Sequence, residues 1–538
     1  VSRPLGTPSI ARAAVLIAVV TVAARLAGFI RVIVFTRIVG VSCLGDTYVT
    51  ANLVPNIVFD VVVGGALTSL VVPALAGPAS VGDRDVIDRT TSALLTWVGL
   101  ILIPASLVGG LLARPIVELL VGNGHPGCSA ATEVAVGTRM LVVFAPQIVL
   151  YGIAVILIGV LQSQRRFLGP ALGPLVSSLV VIGAYVLFGA LAAPSESDLE
   201  SLTRGHELIL SVGTTLGVVA LVGTMLVPFV RTHPVLRPTL HFPPTIGRTI
   251  RAMAIAGAVV IGSQDIATAV VLRLANSQGT TGSVVLYTLA WTVFTVPWAV
   301  AAVPLATSAF PSLTAAWQRG DRDRYVTTTA RSLRVLFVVV AAVAAMMGAA
   351  AGPVARIVVL GAPGDVAPTV LARGLVALAP GLIGYSLVAL LTRAMYAQGD
   401  ARTPATAVAG GWVVAIGFDV VLALALPADW TVAAIGIGTT IGVTISGGWM
   451  LVALRRSAGA ASVAGLPRAA SAAAAGGLAG AACGALIALA TSPSAVLAAL
   501  ALILVVAAVA LVVNAVVVGF IDRSTLRLVL DRSRLRRA

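Results

Sequence analysis

The sequence contains no lysine; all 35 of its basic residues are arginines. That absence removes several chemistries. A Walker A loop places a lysine on nucleotide phosphates, and Schiff-base or pyridoxal chemistry needs a lysine amine, so neither belongs to this chain. Charged residues are scarce, at 10%, and aromatic residues make up only 5%. The formal net charge of +15 does not read as nucleic-acid binding, because the arginines are spread through short connectors with few aromatics between them. The three cysteines, Cys43, Cys128 and Cys483, show neither a C-x-x-C nor a metal spacing. An extracytoplasmic Cys43–Cys128 disulfide and three free thiols are both open to them. The four histidines, His125, His206, His233 and His241, lie in or beside connectors, and none pairs with a Cys or Glu at ligand spacing, so no metal site is expected.

What the sequence has instead is apolar length. It is 59% hydrophobic over 538 residues, which places it among all-α polytopic membrane proteins. Hydropathy predicts about 14 spans. They run over 11–40, 46–76, 89–113, 131–163, 170–193, 207–230 and 247–276, then 283–317, 326–351, 366–397, 404–427, 431–454, 469–491 and 495–520. With the N-terminus inside, about 25 arginines fall on the cytoplasmic side, among them Arg84, Arg89, Arg165, Arg166 and the run from Arg523 to Arg537. The opposite connectors hold Glu196, Asp198 and Glu200. Both termini are therefore expected in the cytoplasm, with an uncleaved first helix and no soluble domain.

An internal repeat organises the spans. LVVFAPQIVLYGIAVILIGVLQSQRRFLGPA (141–171) matches LVALAPGLIGYSLVALLTRAMYAQGDARTPA (375–405) without gaps. Arg139/Arg373, Pro146/Pro380, Tyr151/Tyr385, Gln164/Gln398 and Pro170/Pro404 share one register, and VVPAL (71–75) is echoed by AFPSL (309–313). Six spans separate the copies, so both halves run the same way through the bilayer, as a parallel pseudo-two-fold repeat. The expected organisation is an N-terminal lobe of six helices (1–243) and a C-terminal lobe of six (244–456). Two additional helices (457–521) and a basic cytoplasmic tail (522–538) follow.

Ionisable residues inside spans mark function by default. The first span holds Arg25, Arg31 and Arg37, which point about 120° apart on an ideal helix. Arg37 can snorkel to an interface, but Arg25 lies near the middle, where an arginine costs roughly 2.5 to 3.5 kcal/mol. The helix is thus expected to border a wet, anion-attracting cavity. Further ionisable residues are Asp46, Asp60, Arg139, Asp265, Arg273, Arg373, Arg393 and Asp419. Asp265 and Asp419 suit a cation or proton site, or else salt bridges to an arginine such as Arg273. The run AIGIGTTIG at 434–442 lies within an apolar helix, so packing through Gly438 and Gly442 is expected there, not nucleotide binding.

Four segments carry a family resemblance: RLAGFIRVIVFTRIVG (25–40), GDTYVTANLVPNIVFDVVVGGALTSLVVP (45–73), GVLQSQRRFLGPALGP (159–174) and MYAQGDARTP (395–404). They resemble the MurJ/MviN family of lipid II flippases, within the multidrug/oligosaccharidyl-lipid/polysaccharide exporter superfamily. The resemblance implies 14 helices and a central cavity in which Arg25 and Arg31 engage a substrate pyrophosphate, with Asp46 at the family's acidic position. Asp60 joins these as a substrate-binding candidate. This chain departs from the pattern where Phe59 and Asp60 replace an arginine pair, Gly64 replaces a glutamate, and Thr292 stands nearest to an expected arginine. Those departures resemble actinobacterial relatives.

The implied activity is transport, not catalysis: movement of undecaprenyl-pyrophosphate-linked disaccharide-pentapeptide (lipid II) from the inner to the outer leaflet of the bacterial cytoplasmic membrane. No cofactor is expected. Membrane potential drives the cycle, or Na+ or H+ at Asp265 and Asp419 does. Expected partners are lipid II, membrane lipids and cell-wall synthesis or division proteins. The alternatives are a cation-coupled drug or metabolite antiporter, for which Asp60 speaks, and a flippase for another lipid-linked oligosaccharide. An enzyme of lipid-linked sugar transfer would need paired loop carboxylates, and Asp321/Asp323 reads as an interfacial charge run.

Overall fold

The computed structural model describes residues 7–60, 75, 83–124, 127–164, 166–192, 199–232, 235–241, 247–359, 363, 367–491 and 496–530. The VVPAL stretch apart from Leu75, together with Gly64, Arg165, His125, His233 and the arginines beyond Leu530, lies outside them. Among the described residues every regular element is helical. This is the expected solution for a lipid-embedded chain, because a helix satisfies its backbone internally.

The chain divides into two compact units: Val1–Asp265 with Ala362–Gly364, and Ile266–Gly361 with Asp365–Ala538. The first unit contains α1 (Thr7–Ile38), α2 (Cys43–Asp60), α3 (Arg84–Leu111), α4 (Ala113–Val121), α5 (Ala130–Phe144), α6 (Gln147–Ser163), α7 (Leu168–Leu191) and α8 (Arg204–Val230). The division falls within α9 (Gly247–Gln278). The second unit continues with α10 (Ser283–Gln318), α11 (Arg322–Val359), α12 (Pro368–Leu378), α13 (Gly381–Ala397), α14 (Arg402–Ala425) and α15 (Thr431–Ala458). It ends with α16 (Leu466–Ala490), α17 (Val496–Ile521) and α18 (Arg523–Leu530). Among the described residues 12 helices are long and apolar enough to span a membrane, or 13 when α12 and α13, bent by 42°, count as one span. The remaining expected span, 46–76, is described only through Asp60 and at Leu75.

Short polar signals start some of the helices. Asp83 accepts from the Val86 N–H at the start of α3, Ser129 from Thr132 at α5, and Thr203 from His206 at α8. Between spans, small residues allow close approach. A Cβ on Gly411 of α14 would lie 2.8 Å from the Gly442 carbonyl oxygen of α15, and one on Gly442 would lie 2.5 Å from the Gly411 carbonyl oxygen. The glycine run at 434–442 therefore packs helices.

The internal repeat has a matching structural signature within each unit. Each copy, expected as one continuous span, is broken at an Ala-Pro pair: Ala145–Pro146 between α5 and α6, and Ala379–Pro380 between α12 and α13. Proline has no N–H and its ring clashes with the preceding turn, so the helical ladder is interrupted there. A carbonyl beside each interruption takes a threonine hydroxyl in the same way. Thr215 of α8 donates to the Val143 carbonyl (3.1 Å), and Thr440 of α15 donates to the Ala377 carbonyl (2.8 Å). Residues 143 and 377 occupy the same place in the repeat register. The paired arginines are also used alike. Arg139 binds Glu207 near the start of α8 through contacts that include 2.9 and 3.0 Å, and Arg373 binds Asp429 just before α15 at 2.5 Å.

Candidate functional site

In the first unit α1 places its arginines on different sides. The exposed apolar residues Leu16, Val19, Val22, Leu26 and Ile30 form one face, suited to lipid. Arg25 is also exposed but lies roughly 110° round the helix from the middle of that face. It forms no hydrogen bond or ion pair among the described residues. Arg31 is half-buried, one turn from Phe35, and its charge acts on Tyr48 of α2, Tyr151 of α6 and Tyr185 of α7. Arg37 sits in the last turn, favourable for a cation.

The tyrosines near Arg31 form a cluster that sequence reading did not single out. The Tyr48 hydroxyl hydrogen-bonds the Tyr185 hydroxyl (2.9 Å) and Thr214 Oγ1 of α8 (2.5 Å), and Thr214 donates to the Leu210 carbonyl. The ring centroid of Phe35 lies 5.0 Å from Tyr48 and 5.2 Å from Tyr185. Arg31 thus stands beside a fixed set of polar aromatic groups. The turn from α1 into α2 depends on Gly40, whose φ is +94° and whose Cβ would lie 2.6 Å from the Pro363 carbonyl oxygen. Beyond it, the disulfide Cys43–Cys128, with Cα atoms 5.9 Å apart, ties the start of α2 to the α4–α5 connector.

The predicted carboxylates differ in setting. Asp46 is fully buried in the first turn of α2, where its charge meets the positive helix end. Asp60, at the end of the described part of α2, is exposed, and its charge acts on Tyr151 and on Asp265. Its neighbour Phe59 packs on Tyr151 with centroids 4.4 Å apart, so that position serves packing. Asp265, on α9 and assigned to the first unit, is buried, with Oδ2 lacking a hydrogen-bond partner. Asp419, in α14 of the second unit, is 1% exposed; neither of its oxygens makes a hydrogen bond of good geometry, and the Thr439 backbone N–H of α15 is a nearby donor. It faces Gly438 of α15, where a Cβ would come within 2.1 Å of Oδ1. Asp265 and Asp419 form no ion pair with Arg273 or any other arginine among the described residues. No group of three His, Cys, Asp or Glu suited to a metal occurs among the described residues.

Within the second unit, Thr292 of α10 donates to the Thr288 carbonyl of its own helix (2.8 Å). Around it Trp291, Phe294 and Trp298 surround Tyr385 of α13 at centroid distances of 6.0, 5.7 and 4.9 Å. Where the family pattern calls for an arginine, this chain has an aromatic cluster. Arg393 of α13 is half-buried and donates to the Ala389 carbonyl of its own helix.

The comparisons with known proteins agree with this architecture. A family model described as "Lipid II flippase MurJ" matches residues 35–524. The chain is 23% identical over 180 residues to a probable lipid II flippase MurJ of Buchnera aphidicola subsp. Acyrthosiphon pisum (strain APS), covering 33% of this chain and 34% of that protein. It is 26% identical over 212 residues to one of Synechocystis sp. (strain ATCC 27184 / PCC 6803 / Kazusa), covering 39% and 38%. The chain thus spans little more than a third of the length of the curated relatives it matches. A solved lipid II flippase MurJ in an inward closed conformation superposes with a TM-score of 0.73 at 16% identity, covering 95% of this chain and all of that one. An inward-facing MATE-family multidrug resistance transporter superposes at 0.64 with 15% identity, covering 82% and 98%. These likenesses show the fold.

Proposed function

The chain belongs to the MurJ family, matched over residues 35–524, and from that premise we propose that it flips lipid II from the inner to the outer leaflet. The observation that carries this reading is Arg25, an exposed arginine without a partner among the described residues, set away from the apolar face of α1. A lipid-linked pyrophosphate brings about two negative charges, and arginine's planar fork replaces lost hydration with charge-assisted hydrogen bonds. Arg31, beside Tyr48 and Tyr185, supplies a second, more rigid contact. An inside-negative potential favours outward movement of an anion by roughly 2.3 kcal/mol per charge per 100 mV. Two charges suffice to drive the cycle without ATP.

The return of the empty carrier uses the same field, or Na+ or H+ at Asp265 and at Asp419, each a buried carboxylate with an oxygen lacking a protein partner. We place the protein in the bacterial cytoplasmic membrane with both termini inside, working beside cell-wall synthesis or division proteins. The departures at Phe59, Asp60 and Thr292 resemble actinobacterial relatives, and we propose that subtype for it. The exposed Asp60 favours one second reading, a cation-coupled antiporter. The test is outer-leaflet accessibility of lipid II in cells depleted of the protein, then rescued with wild type or Arg25→Ala. Loss on depletion with rescue by wild type alone supports the flippase. Unchanged accessibility on depletion rejects it in favour of the antiporter or another lipid-linked glycan.

A further inference from the structure

The connector between α8 and α9 is held in register along α3. Backbone N–H groups on alternate residues donate to side chains one helical turn apart: Val235 to Asp88 Oδ2 (3.0 Å), Arg237 to Ser92 Oγ (3.1 Å) and Thr239 to Thr96 Oγ1 (3.2 Å). Two residues of extended chain advance about 6.6 Å and four residues of helix about 6 Å, so the two keep step. Trp97 Nε1 adds a bond to the Leu240 carbonyl at 3.2 Å. This strap and α3 line an open groove of about 650 Å³, a volume typical of ligand sites, roughly 300 to 1,000 Å³. Its walls are mainly apolar, with Leu95, Leu100, Ile103 and Leu236, while Ser92 and Arg237 supply polar groups. Leu100 and Ile103 are 55% and 50% exposed, so the groove opens onto the lipid-facing side of α3.

Length and charge identify the occupant. From Ser92 to Pro104 the groove follows about 18 Å of helix, close to the roughly 15 Å of one hydrocarbon leaflet. The Arg237 backbone is fixed beside Ser92, and its exposed guanidinium has no ion pair or hydrogen bond among the described residues. We propose that this groove binds an anionic phospholipid of the leaflet at the Arg84 end of α3, its phosphate on Arg237 and one acyl chain along Leu95, Leu100 and Ile103. The site is separate from Arg25 and Arg31 and does not depend on what the carrier moves.

The test is native mass spectrometry of the full chain titrated with phosphatidylglycerol and with phosphatidylcholine of the same acyl chains. Wild type should retain phosphatidylglycerol several-fold more tightly than phosphatidylcholine, and Arg237→Ala should lower that retention about tenfold. Gly99→Phe should weaken both lipids, because a Cβ there meets only Ile103 Cδ1, at 3.8 Å, and the ring would fill the groove. Glycerophosphoglycerol, the headgroup without chains, should not compete. The proposal is overturned by equal retention of the two lipids, by competition from the chainless headgroup, or by retention that Arg237→Ala leaves unchanged. Arg237 is exposed, so its variant decides the matter even should Gly99→Phe fail to fold.

Discussion

Arg25 and Arg31 carry the same charge in different surroundings. Arg25 is exposed without a partner, whereas Arg31 is half-buried beside Tyr48, Tyr151 and Tyr185. Each charge-assisted contact to a phosphate is worth about 1.5 to 3 kcal/mol, so Arg25→Ala and Arg31→Ala should each slow lipid II appearance in the outer leaflet at least tenfold. Arg25→Lys should recover part of the rate, as it restores charge without the fork. Wild-type rates in both alanine variants would remove these residues from the substrate path. Gly438→Ala tests a different kind of residue. Its Cβ would lie 2.1 Å from Asp419 Oδ1 and 2.7 Å from the Asp419 backbone nitrogen, so we expect destabilisation of about 1 to 3 kcal/mol from overpacking. A lowered thermal midpoint in detergent would register it. The arginines were legible in the sequence because a charge in an apolar run breaks the local pattern. The Tyr48–Tyr185–Thr214 cluster was not: its bonds join residues 137 and 166 positions apart, and none is unusual where it stands.

At the scale of elements, the two repeat copies use one device with different burial. In the Arg139–Glu207 pair the side chains are 30% and 4% exposed; in Arg373–Asp429 they are 34% and 49%. Arg139→Ala leaves a buried carboxylate unpaired and should cost roughly 3 to 5 kcal/mol. Arg373→Ala loses a solvent-screened pair and a cation–π contact with Trp430, together about 1 to 2 kcal/mol. Thermal midpoints falling equally would refute the distinction. The short α18 depends on Asp522, which accepts from the Thr525 N–H (3.1 Å), Thr525 Oγ1 (2.5 Å) and Ser524 Oγ (2.6 Å), with Arg334 at 3.6 Å. Burial raises the Asp522 pKa, but these bonds and the Arg334 charge outweigh it and hold the carboxyl below its usual range. The stabilisation is therefore present above the unfolded value of about 3.9 and is lost as pH falls through the lower folded value. Asp522→Ala should weaken hydrogen-exchange protection across 523–530 by about 0.5 to 2 kcal/mol at neutral pH. That difference should vanish in acid; a difference independent of pH would show that the cap does not act through its charge.

For the whole molecule, the all-helical membrane fold and the 234-residue repeat register were legible, because long apolar runs and paired prolines leave direct traces. The interruption within each copy was not, although Pro146 and Pro380 were identified, since each span is long enough to cross intact and the threonines beside the interruptions, Thr215 and Thr440, come from distant helices. The strap on α3 was equally hidden: Asp88, Ser92 and Thr96 make a partner surface only when residues 235–239 lie against them. A carrier that moves two negative charges should respond to voltage. Imposing 100 mV, inside negative, on vesicles should bias outward lipid II movement by roughly 4 to 5 kcal/mol. No response would mean that the charge is compensated during movement.

The Cys43–Cys128 bond, finally, is a built-in compass. Disulfides persist in oxidising compartments and are kept reduced in the cytosol, so a bridge between the α2 start and the α4–α5 connector accords with the proposed topology, in which this end faces outward. Arginine counting yields the same direction from unrelated physics. In intact cells, a membrane-impermeant maleimide should label Cys43 and Cys128 only after an impermeant reductant has acted from outside. Such labelling would orient every other helix without inserting a tag.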